Sequence, residues 1–498
     1  MTNRIDGPIP VIVGVGDLAQ RPGDGELDPI GLAVAAARMA AEDAGAPALL
    51  GLVDSIDVVN VISWSYADIA GDLARAIGAT PTRAVHTDVG GHQPIALLDD
   101  AAARIARGES EVALIAGAEA VRTLESALKQ GAMPPWPAPP PDAQPIDPRA
   151  HAAGAMAELE LFMPTDVYPL YEQASRAATG TTQADERSAS ARRWAAAAQV
   201  AAGNPAAWLR TPPSADEIAM VGPANRMVAW PYPKMMNALL SVDQGAAVLV
   251  TSADRARAMG VPEERWVFPL GGSGASEPDD VLARSSFTRT TAGATVLDRT
   301  LALNGLAVDE VDLIELYSCF PVVPRMAAAH LGLAAGRATT VTGGLTFFGG
   351  PANDYMTHAI AAMVRAVRAG DGRTGLLYGQ GGYATKHHAV VVSATPPDAY
   401  RVDEPGAAQQ VVDDEPKPPF VAGYDGPGTL ETFTMPYGRD GEPTRVVLVG
   451  RTPDGARFAG EGPVDADTVA VLTHPTDEPV GRPVRAIGDG TTTKVELV

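Results

Sequence analysis

The sequence predicts an α/β protein of two related βαβαβ halves, with a lid inserted between them and a small antiparallel β-barrel at the C-terminal end. Three observations carry this expectation. Short apolar runs alternate with amphipathic helical patterns over residues 10–118, the alternation returns over 245–394, and after about 418 it gives way to short strands separated by glycine turns.

In the first half the order is PVIVGVG, the helix DPIGLAVAAARMAAEDAG, SIDVVNVISW, the helix ADIAGDLARAIG, AVHTDVGG, the helix PIALLDDAAARIARG and EVALIAGAEA. Strands spaced by helices in this way predict a mainly parallel sheet covered on both faces. Residues 121–240 break the rhythm with the Pro-rich patch PPWPAPPPDAQPIDP followed by helices and loops. An insertion of that length in an α/β frame reads as a lid facing a ligand. The second half, 241–396, runs through GAAVLVTS, ATVLDRTLALNG, DLIELYS, PRMAAAHLG, THAIAAMVRAVRAG, GLLYG and HAVVVSA. Residues 397–417 are acidic and proline-rich and predict a linker. From 418 to 498, turns at GRDGEP, TPDG and GDGT separate strands of alternating polarity, the pattern of a five- or six-stranded barrel of OB type.

Composition limits the function classes. A net charge of -22 opposes contact with phosphate backbones and anionic lipid, so nucleic acid is not an expected partner. The N-terminus lacks a basic segment followed by an apolar signal core, and no run of about 18 apolar residues would span a bilayer, so a cytoplasmic protein is expected. A single cysteine, Cys319, allows neither an internal disulfide nor a cysteine-based zinc site. No metal-ligand spacing and no dinucleotide fingerprint occurs, so neither metal nor nicotinamide cofactor is expected.

Four stretches resemble one family. HTDVGGHQPIALLDDAAARIARGESEVALIAGAEA is similar to the thiolase segment that carries the nucleophilic cysteine at a helix start, and SVDQGAAVLVTS to the strand that follows the thiolase lid. DLIELYSCF resembles the Glu-Leu-His-Asp-Cys-Phe motif of the sterol-carrier-protein-type thiolases, and GGLTFFGGP their Gly-His-Pro loop. On these motifs, spread over residues 8–395, the chain is identified as a member of the thiolase superfamily, resembling the thiolase-like proteins of type 1 with their extra C-terminal domain. The resemblance implies a thiolase fold and a coenzyme A thioester as ligand, with no separate cofactor.

It also implies a site without the family's machinery. The position of the nucleophilic cysteine is Val89, that of the activating histidine is Gly350, and that of the second cysteine is Gly379. Without a thiolate at a helix N-terminus no acyl-cysteine forms, and ordinary thiolytic or Claisen activity is not expected. The backbone N–H groups of Val89 and Gly381 remain where the family makes an oxyanion hole, and Val89, Gly90, Gly381 and Gly350 are the candidate substrate-binding positions. Four side chains are candidate acid–base groups. His92 reads as a base or thioester donor, or as a helix-start residue bonding the backbone. His387, in ATKHHAVVVS, is the preferred base, against a satisfied structural histidine. Tyr317 and Tyr383 match a branch of thiolase-like aldolases in which tyrosines serve as acid and base, or else are buried aromatics with bonded hydroxyls. Three readings stay open: a CoA-thioester-binding protein, an acyl-CoA lyase or retro-aldolase, and a non-catalytic carrier or scaffold whose barrel recruits a protein partner. Monomer and homodimer both fit, because the strand through which thiolases pair is here the polar AVHTDVGG.

Overall fold

The computed structural model describes residues 3–143, 147, 149 and 152–498; positions 144–146 and 148 of the Pro-rich patch lie outside the described residues. The first half is a five-stranded sheet of β1 (Pro10–Ala19), β2 (Ser55–Val58), β3 (Arg83–His86), β4 (Val112–Ala120) and β5 (Asp243–Ser252), in the order β1-β5-β4-β2-β3. The second half is a four-stranded sheet of β6 (Phe268–Ser276), β7 (Leu313–Leu316), β8 (Thr374–Gly381) and β9 (Lys386–Ser393), in the order β7-β8-β9-β6. Both sheets are mixed rather than mainly parallel. β4 runs parallel to β2 but antiparallel to β5, and β8 runs parallel to β7 but antiparallel to β9.

The lid explains the reversal. Ala120, the last residue of β4, pairs with Asp243, the first of β5, so the whole lid is an insertion into the turn of a hairpin. The equivalent turn in the second half is four residues long, between Gly381 and Lys386. A hairpin needs no crossover helix, hence the antiparallel pair. The halves differ at one edge. Where the second sheet would have its β3 counterpart, Leu316 donates a single amide hydrogen bond to the Thr339 carbonyl. The side chain of buried Glu315 instead accepts from the Val341 and Thr342 amides at 2.8 and 3.1 Å and from the hydroxyls of Thr340 and Thr342.

The layers form around helices α1 (Pro29–Asp43), α2 (Ile69–Ile77), α3 (Gln93–Ala106), α4 (Pro164–Ala178), α5 (Gln183–Gly203), α6 (Thr291–Asn304), α7 (Val322–His330) and α8 (Tyr355–Ala369). α3 and α8 pack side by side between the two sheets, α1 and α2 cover the outer face of the first sheet, and α6 covers that of the second beside α7. A helix sandwiched between sheets must be apolar around most of its circumference. PIALLDDAAARIA and YMTHAIAAMV meet that demand with alanine and branched aliphatics, at nearly complete burial. α4 and α5 belong to the lid.

Residues 397–417 are ordered rather than an extended linker: strand Tyr400–Val402 pairs with Asn3–Ile5, and Ala407–Asp413 is a helix. The C-terminal barrel comprises β10 (Gly426–Thr434), β11 (Val446–Arg451), β12 (Arg457–Gly462), β13 (Pro483–Gly488) and β14 (Thr493–Leu497), closed in the order β10-β11-β12-β14-β13 with helix Ala466–Leu472 between β12 and β13. The closing pair β12–β14 is parallel, where an all-antiparallel barrel was expected. This is OB topology. Side chains alternate along β11, so Val446 and Leu448 fill the barrel while Val447 and Val449 leave it and join Leu170, Val281, Leu282 and Phe287 in the main core. The β11–β12 face, the one OB folds offer to oligomeric ligands, is therefore closed against the body. Arg457, with no exposed surface, fastens it: the guanidinium pairs with Glu431 and donates to the carbonyls of Leu282 and Arg284 at 2.7 and 2.5 Å.

Candidate functional site

Four segments meet between the halves: the start of α3, the end of β7, the β8–β9 hairpin and the loop 349–353. Gly90, at φ 156°, turns the chain into α3, and its amide donates to Asn353 Oδ1 at 2.9 Å. Asn353 is itself held, its Nδ2 donating to the backbone and side-chain oxygens of Asn60 at 3.2 Å. The Gly90 amide is thus taken up by the protein. Val89 beside it is half-buried.

Tyr317 and His92 fill the centre. Gly91 has room for no side chain: a Cβ there would lie 2.7 Å from Tyr317 Cζ, closer still to its hydroxyl, and 2.8 Å from the Gln380 carbonyl. The phenol of Tyr317 therefore presses on the first turn of α3. Its ring stands edge-on to Tyr355 at 5.9 Å, and burial pushes its hydroxyl well above the usual phenol range. His92 lies over three glycines. A Cβ at Gly90 or Gly381 would come within 2.6 Å of the imidazole, and one at Gly379 within 3.0 Å of His92 Cα. His92 Nδ1 is buried without a hydrogen-bond partner, and desolvation, helped by the nearby His388, Lys386 and His387, lowers the ring to about 3. It is neutral.

The strand period separates the other candidates. Gly379 and Gly381 face α3, so Tyr378 and Gln380, which alternate with them, face the opposite side of the sheet. On β9, His388 points inward and bonds Asp99 Oδ2 of α3 at 2.9 Å, while His387 points outward. Both nitrogens of His387 are engaged, Nδ1 accepting from Tyr378 Oη at 2.7 Å and Nε2 donating to the Ala384 carbonyl at 3.0 Å. Burial lowers its ring to about 3. His387 is therefore not brought together with His92 and Tyr317. Neither is Tyr383, whose hydroxyl, pushed up to about 12 by burial, donates to the lid carbonyl of Phe162 at 2.5 Å. Gly350 lies against the end of the lid, its amide donating to the Leu239 carbonyl at 2.9 Å.

Cys319 is buried, and desolvation raises its thiol to about 12; its sulfur faces Gln380 Oε1 at 4.0 Å. Gln380 Nε2 in turn donates to Tyr168 Oη of the lid at 2.7 Å, and Tyr168 stacks on Phe320 at 4.5 Å. This chain ties the lid to the site. A second buried group lies behind the loop. His358 of α8 sits 3.3 Å from Asp17 Oδ2 and 3.6 Å from Asp354 Oδ2, and both Asp354 oxygens lack a hydrogen-bond partner. Burial pushes Asp354 far above the carboxylate range and Glu119 up to about 7. Asn353 was not singled out in the sequence, and the one available signal for His358 was its four-residue helical spacing from Asp354.

Two sheets enclosing a helix pair, a lid set into the hairpin of the first half, and a site at the start of one buried helix define a thiolase-fold protein. Over its full length the chain is 32% identical to a monomeric SCP2-thiolase-like protein type 1 from Mycobacterium smegmatis, with both chains covered completely and a TM-score of 0.84. Residues 408–491 match the model of the thiolase-like protein type 1 additional C-terminal domain. The chain belongs to the SCP2-thiolase-like proteins of type 1. The fold is shared at lower identity with an Ltp2-ChsH2(DUF35) aldolase (20% identity, TM-score 0.57, 78% of this chain and 98% of that one) and with human mitochondrial 3-ketoacyl-CoA thiolase (16%, 0.57, 78% and 99%). None of the curated protein sequences matches the chain.

Proposed function

We propose that the protein binds a CoA thioester at the start of α3 and does not pass the acyl group through a cysteine. One observation carries this reading: the positions that face the helix start are Val89, Gly91, Gly379 and Gly381, and the polar side chains that reach them are His92 and Tyr317. A neutral imidazole and a neutral phenol at a helix N-terminus can hydrogen-bond a polarised carbonyl, and neither supplies the thiolate of cysteine-based acyl transfer. Cys319 has no part in this, because a buried thiol raised to about 12 is not a thiolate near neutrality.

A second reading, a lyase or retro-aldolase acting on an acyl-CoA, is favoured by the unpartnered Nδ1 of His92, a ring nitrogen with no protein group competing for proton exchange. A non-catalytic carrier is the remaining reading. Thermal shift and calorimetry with CoA, acetyl-CoA and branched acyl-CoAs, followed by mass spectrometry of products, separate the lyase from the two readings without turnover. Stabilisation without turnover supports the binding protein, turnover lost in Tyr317→Phe or His92→Ala supports the lyase, and no CoA binding defeats both. The exposed His86 at the end of β3, the exposed Asp88 in the loop that follows it, and the monomeric relative support a monomer. No helix among the described residues is long and apolar enough to cross a membrane.

A further inference from the structure

A cleft of about 670 Å³ lies between lid helix α5, helix α7 and the loop 333–340 that replaces an edge strand, bordering the end of β7 at Leu316 and Ser318. Its size is that of a small-molecule site. Alanine is the commonest residue of the walls and leaves space open, and Leu333, Trp194 and Phe347 add larger apolar surface. Its charge runs against that of the molecule. In a chain of net charge -22, four arginines line it, Arg192, Arg193, Arg325 and Arg337, and no Asp or Glu lines it among the described residues.

These cations are only partly compensated. Arg193 and Arg325 pair with Glu186, and Arg325 also reaches Glu172 at 3.0 Å, yet the Nε of each is buried without a hydrogen-bond partner. Arg337 donates to the carbonyls of Val311 and Asp312 and meets no carboxylate, and exposed Arg192 has no ion-pair partner among the described residues. A buried guanidinium with an unused donor favours an anionic acceptor, and the apolar walls favour a hydrocarbon body.

We infer that this cleft binds a single-chain aliphatic amphiphile with an anionic head, the head at the arginines and the chain along the alanine wall. Leu316 and Ser318 line the cleft on either side of Tyr317, but Tyr317 and His92 themselves do not, and the inference does not rest on the CoA-thioester reading. Calorimetric titration with dodecanoate tests it, with dodecyl phosphate to distinguish the head group and dodecyltrimethylammonium as the opposite charge. The expected result is one-to-one binding of dodecanoate or dodecyl phosphate, at least tenfold tighter than the ammonium. Arg192→Glu combined with Arg337→Gln should weaken binding tenfold or more, and Ala329→Trp, at an exposed lining position, should abolish it; each fold is checked by circular dichroism. Tyr317→Phe and His92→Ala should leave this binding unchanged, so its failure and a failure of CoA binding are read separately. Equal binding of both charges, indifference to the arginine substitutions, or loss in Tyr317→Phe would overturn the inference.

Discussion

Gly91→Ala probes the packed centre directly. Gly91 lacks the positive φ that demands glycine, so on conformational grounds alone alanine would stabilise the protein by about 0.4–1 kcal/mol. The added Cβ, however, would lie 2.7 Å from Tyr317 Cζ and 2.8 Å from the Gln380 carbonyl, where ordinary contact begins at 3.4 Å. The phenol cannot swing aside freely. It abuts Tyr355, which is fully buried and donates its hydroxyl to Glu315 Oε1 at 2.7 Å. Overpacking of this kind costs about 1–3 kcal/mol, so the net effect should be a destabilisation of about 1–2 kcal/mol. Tyr317→Ala alone should cost about 3–5 kcal/mol through the cavity it leaves. In that background the contact with the ring is gone and only the one with the carbonyl persists, so the two changes should be non-additive by about 1 kcal/mol. Urea denaturation of the four proteins measures the cycle. Additivity within about 0.3–0.5 kcal/mol would mean that Tyr317 does not rest on the helix start, and the account of the filled centre would fall.

Other consequences follow from buried polar groups. Tyr378→Phe removes the donor to His387 Nδ1 and should destabilise the protein by about 1–3 kcal/mol in denaturation, while leaving any CoA affinity unchanged. His387 has a folded pKa of about 3, below its unfolded value of 6.5, so the unfolded chain binds the extra proton; its contribution is complete above pH 6.5 and declines by about 1.4 kcal/mol per unit as the pH falls toward 3. A pH series of denaturation midpoints should show this slope reduced in His387→Asn. Arg457→Ala leaves the carbonyls of Leu282 and Arg284 without their donor and Glu431 with Arg451 as its remaining partner, and should cost about 1–3 kcal/mol, with proteolysis between body and barrel accelerated. Cys319 should resist iodoacetamide in the native protein at pH 8 and react on unfolding; rapid native labelling would contradict its burial.

The halves, the lid and the barrel were legible because apolar periodicity and turn residues report burial locally. What escaped depends on distant contacts. β6, in FPLGGSGAS, carries little apolar signal, because Gly272 must pass close to β9, where a Cβ would meet Val390 Cγ2 at 2.6 Å. Strand direction was misread as mainly parallel because the lid hides a hairpin, Ala120 to Asp243, that spans more than a hundred residues. At the site, the motif positions Val89, Gly379 and Tyr317 could be read from resemblance, and Gly379 and Tyr317 pack on the start of α3. The adjacent histidines 387 and 388 could not be assigned, since a one-residue register choice exchanges the inward and outward faces. The unpartnered Nδ1 of His92 and the clasp of Asn353 on Gly90 exist only once α3, β8 and the loop 349–353 are brought together.

The central claim is that this thiolase fold works without a cysteine nucleophile. Intact-protein mass spectrometry after incubation with acetyl-CoA and with acetoacetyl-CoA plus CoA, read alongside thioester cleavage, tests it most directly. The account predicts an unmodified mass and cleavage no faster than in buffer. A stoichiometric acyl adduct on the protein, or thiolysis well above background, would contradict it.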